Sequence, residues 1–190
     1  MTMSSLVKSA EQNRMTVHQP PSSTVAESGQ YLTFLQRGEM FAIGILGIKE
    51  IIEYANLTTV PLMPEFIRGV INIRGAVVPV IDLSARFGRE TAVTTRRSCI
   101  VIIETVNDNE KIDIGIIVDS VSEVLEIPPA DIEPAPRFGT NIRADFINGM
   151  GKVNDKFVII LDISRVLSVD EMSSLASVSS ELAPEANLVE

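Results

Sequence analysis

Short runs of apolar residues, several of them alternating with polar residues, fill the chain between residues 31 and 164. Alternation at every second position is the pattern of a β-strand with one buried face, and in EMFAIGI it places Phe41, Ile43 and Ile45 on one side. Gly, Pro, Asn and Asp separate the runs and favour turns. Strands are predicted at residues 31–36, 39–45, 48–54, 69–75, 76–83, 98–104, 112–119, 121–127, 146–153 and 157–164. The chain is therefore predicted to be mainly β.

Short helical segments are expected to interrupt this pattern. Pro64 suits the first position of a helix and is expected to begin a single helical turn. Residues 84–87 are expected to form another short helix. Ser168 and Glu171 have the spacing of a capping box, which predicts a C-terminal helix over about 168–178.

The segment that starts at Phe66 is repeated by the segment that starts at Phe146. FIRGVINIRGAVVPVIDLS and FINGMGKVNDKFVIILDIS share Phe, Ile, Gly, Asp and Ser in register. Upstream of them, IKEIIE at 48–53 matches VSEVLE at 121–126. The offset is 80 residues for the long segments, as from Gly69 to Gly149 and from Asp82 to Asp162, and 73 residues for the upstream ones. Chance similarity between short strands is the alternative, but the order of the elements repeats as well.

The repeat predicts two similar small β-barrels in one domain. The first lobe is expected over about 30–90 and the second over about 97–166. A groove should form where the two lobes meet, and such junctions are common binding sites. Asp82 and Asp162 recur in both halves, so we interpret them as turn or helix-capping residues and not as catalysts.

Charge is unevenly distributed along the chain. The formal net charge is −9, and residues 170–190 contribute five acidic residues and no Lys or Arg. Residues 179–190 are expected to be a frayed acidic tail, and residues 1–28, rich in Ser, Gln, Thr and Pro, to be a disordered arm. An acidic chain with few aromatic residues does not suit phosphate backbones or bases, so no nucleic-acid partner is expected. An oligonucleotide-binding β-barrel is nevertheless the alternative of a different class.

The reactive side chains are few. His18, the only histidine, lies in the predicted disordered arm, and Cys99 is the only cysteine, which makes a His-based catalytic site or a zinc site improbable. We expect no enzyme activity, no catalytic residue, no metal and no cofactor, although carboxylates such as Glu50 and Glu53 leave a hydrolase as a further alternative. A single thiol fits a reduced, cytoplasmic compartment. No apolar run approaches the roughly 18 residues of a membrane span, so no direct membrane insertion is expected.

Five blocks of sequence resemble the CheW family of chemotaxis coupling proteins. They are FAIGILGIKEII, TTVPLMPEFIRGVINIRGAVVPVIDLSARFG, IGIIVDSVSEVLEI, IEPAPRF and FINGMGKV followed by FVIILDI, and they place a CheW-like domain at residues 29–175. The resemblance implies a fold of two SH3-like five-stranded β-barrels. It also implies a non-enzymatic scaffold that binds the regulatory domain of the CheA histidine kinase and the cytoplasmic tip of transmembrane chemoreceptors. The length leaves no room for a receiver or ATP-binding domain, so a stand-alone coupler is expected.

The resemblance assigns kinase binding to Ile48, Ile51, Gly69 and Ile71. Ile48 and Ile51 lie in the family's V-x-E-I element, and burial in the barrel core is the alternative for both. Alternation places Ile48 and Glu50 on one face, which makes Ile48 the isoleucine expected to be exposed. A purely structural role is the alternative for Gly69.

Receptor binding is assigned to Glu50, Arg74, Val118 and Val121. Arg74 corresponds to a family arginine associated with receptor coupling, and an ordinary surface ion pair with Glu50 or Asp82 is the alternative. Val118 and Val121 are expected to line the receptor groove, with core packing as their alternative.

Overall fold

The computed structural model describes residues 29–107, 110–136 and 142–166, which form mainly β-strands. The strands are β1 (Gly29–Gln36), β2 (Glu39–Gly44), β3 (Ile48–Glu53), β4 (Ile67–Ile73), β5 (Ala76–Asp82), β6 (Cys99–Asn107), β7 (Glu110–Val118), β8 (Ser120–Ile127), β9 (Ile132–Glu133), β10 (Ile147–Val153) and β11 (Lys156–Leu161). Two one-turn helices, α1 (Leu83–Arg86) and α2 (Ile163–Val166), follow β5 and β11. Single 3-10 turns occur at Ile45–Gly47, Pro129–Asp131 and Ala144–Phe146.

The strands form two sheets, which we call lobe A and lobe B. Lobe A has the order β8-β1-β2-β11-β10-β9, and lobe B has the order β3-β6-β7-β5-β4. All neighbouring strands are antiparallel except β2 with β11 and β5 with β7. The prediction of a mainly β, two-lobed fold is confirmed, and one lobe gains a sixth, two-residue strand.

The lobes do not follow the order of the chain, which corrects the predicted boundaries. Lobe B is built from residues 48–118, whereas lobe A combines residues 29–44 with residues 120–161. The chain changes sheet in short connections, the 3-10 turn Ile45–Gly47 and the single residue Asp119. The two repeats are alike, so their sequences do not indicate which sheet β3 or β8 joins. In the structure β3 of the first repeat pairs with β6 of the second, and β8 of the second repeat pairs with β1 of the first.

The internal repeat has a clear structural counterpart. In both units a hairpin leads into a short helix, and a bulge interrupts the pairing at the same place, between Ile67 and Gly69 and between Ile147 and Gly149. The backbone N–H of Asp82 donates to the carbonyl of Phe66 at 2.8 Å, and Asp162 and Phe146 repeat this bond at 2.9 Å. The repeated sequence therefore encodes one supersecondary unit twice.

Most of the buried side chains belong to one core that both lobes share. It includes Phe34 and Phe41 of lobe A and Ile81 and Ile116 of lobe B, all of which are nearly inaccessible to solvent. Four rings follow one another through it, with centroids 5.9 Å apart for Phe34–Phe41, 5.8 Å for Phe41–Phe87 and 6.1 Å for Phe87–Phe146. Each buried side chain of this size contributes about 1.5–3 kcal/mol, so the shared core holds the two lobes together.

The predicted short helices have mixed outcomes. Asp82 caps α1, since its Oδ1 accepts hydrogen bonds from the backbone N–H groups of Ser84 at 2.9 Å and Ala85 at 3.2 Å. The helical turn expected at Pro64 is wrong: the N–H of Ile67 closes a turn on the Pro64 carbonyl at 2.8 Å, and β4 begins at once. The predicted arm 1–28, the helix 168–178 and the tail 179–190 lie outside the described residues.

Candidate functional site

Strand β3 carries two of the predicted kinase-binding residues, and they lie on opposite faces of the strand. Ile48 pairs with Ile103 while Glu50 pairs with Ile102, so Lys49 is an extra residue in the strand. Ile48 is half-buried and packs against the shared core, whereas Ile51 is 42% exposed. The prediction that Ile48 is the exposed isoleucine is wrong, and Ile51 presents the accessible apolar side chain of β3.

Gly69 and Ile71 lie on β4, behind the surface. Gly69 is buried at the bulge with φ +147°, and a Cβ there would lie 2.4 Å from the Thr58 carbonyl oxygen. The two backbones approach this closely because Thr58 and Val70 exchange hydrogen bonds of 2.9 and 2.8 Å. Ile71 is half-buried and packs on a second cluster of lobe B that contains Val80 and Ile102. Both residues shape lobe B, and neither is a prominent surface group.

Arg74 and Glu50, two of the predicted receptor-binding residues, are in direct contact. Arg74 Nη2 lies 3.1 Å from Glu50 Oε2, and the pair connects the β4–β5 turn to β3. Arg74 has φ +51° in a two-residue turn with Gly75, and its side chain is 83% exposed. A long side chain is unfavourable in this left-handed conformation, for which Gly, Asn and Asp are preferred. The position therefore presents a guanidinium at the tip of a turn at a cost in backbone strain.

Val118 and Val121 lie at the β7–β8 junction. Val118 is fully buried in the shared core, so the expectation that it lines a groove as a contact residue is wrong. Its backbone pairs with Cys99, and all of the last five residues of β7 are buried. Val121 is half-buried and packs on the same core opposite Phe34. Val121 thus retains a small accessible surface.

A groove lies where the lobes meet and agrees with the expected location of a binding site. Its volume is about 420 Å³. The walls come from both lobes and are formed by Ile43, Gly44, Gly47, Ile103, Glu104, Thr105, Val106, Asn148, Leu161, Asp162, Ile163 and Ser164. Val106 and the adjacent Leu46 are well exposed, so the rim offers apolar surface to a partner.

A charge network borders the groove on lobe B. Lys49 Nζ lies 2.9 Å from Asp113 and 3.5 Å from Glu104, and Lys111 Nζ lies 2.8 Å from Glu104. The hydrogen bond from Lys111 is the main cause that lowers the pKa of Glu104 below its ordinary value of 4.5. The hydrogen bond to Asp113 is the main cause that raises the pKa of Lys49 above 10.5. The charged forms of Glu104 and Lys49 are therefore favoured, and acidic and basic side chains are paired along this border of the groove.

The sequence analysis missed several exposed apolar side chains. Leu46 and Leu62 are fully exposed, Val93 and Val106 largely so, and Val77, Val124 and Phe157 about half. Ile51 and Val124 occupy equivalent positions in the repeat, as do Val77 and Phe157. The repeat could have identified these pairs, because an outward position in one unit predicts an outward position in the other.

Within residues 29–107, 110–136 and 142–166, no three His, Cys, Asp or Glu side chains converge in a way that would hold a metal ion. In the same part of the chain, no helix has the length and apolar character needed to cross a membrane.

The geometry is that of a two-lobed binding module, and comparison with known proteins decides its family. The family model of the CheW-like domain matches residues 30–171. The chain belongs to the CheW-like family. The chemotaxis protein CheW of Klebsiella aerogenes is 34% identical over 164 residues, which cover 86% of this chain and 95% of that protein. CheW of Treponema pallidum is 29% identical and covers 83% of this chain and 92% of its own length.

A solved CheW structure has the same fold. The scaffolding protein TtCheW from Thermoanaerobacter tengcongensis superimposes with a TM-score of 0.68 at 33% identity, covering 82% of this chain and 94% of the other. CheW-like proteins form a family of scaffolds and adaptors, so the fold and the family both describe a chemotaxis adaptor.

Proposed function

We propose that this protein couples transmembrane chemoreceptors to a CheA-type histidine kinase, and that it does so in the cytoplasm by binding both partners without catalysing a reaction. The observation that carries the proposal is the CheW-like match over residues 30–171, which includes almost every described residue. The two lobes with separate exposed surfaces support it, because an adaptor needs two surfaces that can be occupied together.

The kinase surface is proposed on β3 and β4 of lobe B. Ile51 is the contact residue, since it is the accessible apolar side chain of β3. Full burial of an exposed isoleucine contributes about 1.5–3 kcal/mol. Burying Ile51 against a partner would contribute less than this, in proportion to the surface it exposes. Ile48, Gly69 and Ile71 act behind it, since their burial fixes the position of β3 and β4. In the described pairings β3 bonds only to β6, so its second edge is available to a partner's backbone.

The receptor surface is proposed to include the Arg74–Glu50 pair and the groove between the lobes. Arg74 projects from a turn and is mostly solvated, so it can exchange its pairing with Glu50 for a carboxylate or carbonyl of a partner. Val121 contributes through its partly accessible side chain, and Val118 through the packing beneath it. A receptor tip that enters between the lobes would contact apolar walls and a charged border together.

The adaptor function is tested by binding assays with two separate purified partners, the regulatory domain of a CheA-type kinase and the cytoplasmic tip of a chemoreceptor. The wild-type chain should bind both. Arg74→Glu should weaken receptor binding while kinase binding persists, because the substitution reverses a charge at a surface turn. Arg96→Glu reverses the same charge at an exposed position of the connector and is the matched control. Failure of the wild-type chain to bind either partner would refute the proposal, and equal loss of both in Arg74→Glu would refute the assignment of Arg74.

A further inference from the structure

The hairpins β4–β5 and β10–β11 are equivalent in the repeat, and each turns through two residues in the left-handed region. Arg74 and Gly75 have φ +51° and +91°, and Asn154 and Asp155, which lie 80 residues later, have φ +49° and +60°. Asn and Asp are favoured at the central positions of such a turn, and glycine has no Cβ that would oppose it. Of these four residues, Arg74 is therefore the one that does not suit its backbone conformation.

The turn that carries Arg74 has a side-chain support at Asn72. The backbone N–H of Gly75 donates to Asn72 Oδ1 at 3.0 Å, which ties the second turn residue to β4. The equivalent of Asn72 in the other hairpin is Lys152, whose ammonium group has no acceptor atom. The support thus occurs in the hairpin whose turn holds a strained arginine, and the hairpin whose turn residues are favourable has a side chain that cannot provide it.

A second Arg-Gly turn, between β1 and β2, is held in a different way. Arg37 has φ +51° and Gly38 has φ +80°. The backbone N–H of Arg37 donates to Asp119 Oδ2 at 2.6 Å, and its Nη1 donates to the Glu90 carbonyl at 3.2 Å. Both the backbone and the guanidinium of Arg37 are therefore bound within the protein.

At Arg74 the support acts on the backbone of the following residue and leaves the guanidinium aside. The bond from Gly75 to Asn72 fixes the turn, whereas the guanidinium pairs with Glu50 at 3.1 Å and belongs to a side chain that is 83% exposed. An exposed ion pair of this kind is weak, so a carboxylate of a partner can replace Glu50. Asn72 therefore fixes the conformation of the turn without occupying the group that the turn presents.

We propose that Asn72 is a positioning residue of the receptor surface, which acts by holding Arg74 in the conformation that presents its guanidinium to a carboxylate of the partner. The inference rests on the proposed receptor role of Arg74 and deepens it. Without the bond from Gly75, the turn would populate other conformations, and receptor affinity would fall in proportion to the fraction of molecules that keep the competent turn. Kinase affinity would not change, because the proposed contact residue Ile51 lies on β3.

Two substitutions of the same shape, made in the full chain, test the hydrogen bond. Asn72→Thr keeps an oxygen that can accept from Gly75, whereas Asn72→Val has similar strand propensity and no acceptor. Affinity for a receptor tip, measured by isothermal titration calorimetry, should stay within about twofold of the wild type in Asn72→Thr and fall about three- to tenfold in Asn72→Val, as expected for one lost hydrogen bond. Equal receptor affinities of the two variants would refute the inference. An equal loss of receptor and kinase binding in Asn72→Val would show a general disturbance of lobe B and would refute it as well.

Hydrogen exchange of the Gly75 amide, measured by NMR without any partner, tests the same bond directly. The exchange should be faster in Asn72→Val than in the wild type, because the amide loses its acceptor, and Asn72→Thr should slow it again. The same rate in all three proteins would show that the bond does not form in solution and would overturn the inference.

A double-mutant cycle with Arg74→Asn separates positioning from direct contact. In the Arg74→Asn background, adding Asn72→Val should change receptor affinity by less than about twofold, because no guanidinium is left to position. A further loss as large as in the wild-type background would show that Asn72 contacts the receptor itself, which would overturn the positioning role.

The cycle also distinguishes failure of this inference from failure of the proposed function. If Arg74→Asn alone leaves receptor affinity unchanged, Arg74 has no receptor role, and both its assignment and the inference are wrong. If Arg74→Asn weakens receptor binding while Asn72→Thr and Asn72→Val bind equally well, the receptor role of Arg74 stands and Asn72 is an ordinary turn residue.

Discussion

Arg86 donates its Nε hydrogen to the carbonyl of Val166 at 2.6 Å, and these two residues are each other's equivalents in the internal repeat. The guanidinium carbon of Arg86 also lies 5.1 Å from the ring centroid of Phe66 and 4.8 Å from that of Phe146, which form a second equivalent pair. One side chain of the first unit thus contacts two elements of the second, and the repeats are joined asymmetrically at their helices.

Substitution of Arg86 should therefore destabilise the whole domain. Arg86→Ala removes a charged hydrogen bond and two cation–π contacts, and we expect the free energy of unfolding to fall by about 2–3 kcal/mol. Arg97→Ala, at an exposed position, should change it by less than about 0.5 kcal/mol. Urea denaturation monitored by circular dichroism measures both values. A similar small effect for the two variants would show that the Arg86 contacts do not join the repeats.

Gly69→Ala should be strongly destabilising, because the new Cβ would lie 2.4 Å from the Thr58 carbonyl oxygen and φ is +147°. A clash with backbone cannot be relieved by a rotamer change, so we expect a loss of about 2–4 kcal/mol in the free energy of unfolding. Gly44→Ala is the control, since a Cβ at that position would have no atom within 4 Å and the φ of Gly44 is −59°. If kinase binding falls in Gly69→Ala while its unfolding curve matches the wild type, Gly69 has a direct binding role and the structural explanation is wrong.

Much of the architecture follows from the sequence because its cause is local. Alternating residues place the strands, and Asp82 is the last residue of β5, at the point where a helix cap is needed. The lobes were divided incorrectly because strand exchange depends on pairings between residues far apart in the chain, such as Ile51 with Val101. The hairpins β1–β2 and β6–β7 are equivalent in the repeat, so local sequence does not indicate which of them β3 or β8 pairs with.

The candidate site was predictable in part, and the main error concerns which face of β3 points outward. Burial alternates along β3 as predicted, but the face that carries Ile48 and Glu50 is the more buried one, and Ile51 lies on the exposed face. Alternation separates the two faces of a strand, but it does not show which of them packs on the core. The sequence left two partners possible for Arg74, Glu50 and Asp82. The choice of Glu50 depends on how the curvature of the sheet brings the β4–β5 turn close to β3, which local sequence does not determine.

Substitution of Ile51 should affect kinase binding, whereas substitution of Ile48 should affect the stability of the fold. Ile51→Arg places a charge on an exposed position and should reduce affinity for the kinase regulatory domain by at least about tenfold, with less than about 1 kcal/mol change in the free energy of unfolding. Ile48→Ala should instead destabilise the fold by about 1–3 kcal/mol, because its side chain packs on the shared core. Isothermal titration calorimetry and denaturation measure the two effects.

Val124→Arg is the matched control for Ile51→Arg, since Val124 is the equivalent position in lobe A and is 46% exposed. It should leave kinase binding within about twofold of the wild type. Equal loss of kinase binding in the two arginine variants would place the kinase surface elsewhere or on both lobes.

Arg74→Asn should weaken receptor binding without destabilising the domain. Asn tolerates the left-handed conformation better than Arg does, and the exposed ion pair with Glu50 contributes only about 0–1 kcal/mol. We therefore expect the free energy of unfolding to stay constant or rise by up to about 1 kcal/mol, while affinity for a receptor tip falls. Measuring the free energy of unfolding and the affinity for a receptor tip on the same preparation tests both expectations. Full retention of receptor binding would mean that Arg74 is an ordinary surface residue.

The charge network on lobe B should respond to pH in a direction set by its pKa shifts. Because hydrogen bonds from Lys111 and Lys49 lower the pKa of Glu104 in the folded protein, its ionised form stabilises the fold above pH 4.5, and this contribution is lost as the pH falls through the lowered pKa. NMR titration of the Glu104 carboxyl carbon should give a midpoint below 4.5. Lys111→Gln should shift the midpoint upward, since it removes the largest cause, whereas Lys152→Gln on β10 should not move it. An unchanged midpoint in Lys111→Gln would show that the ion pair does not persist in solution.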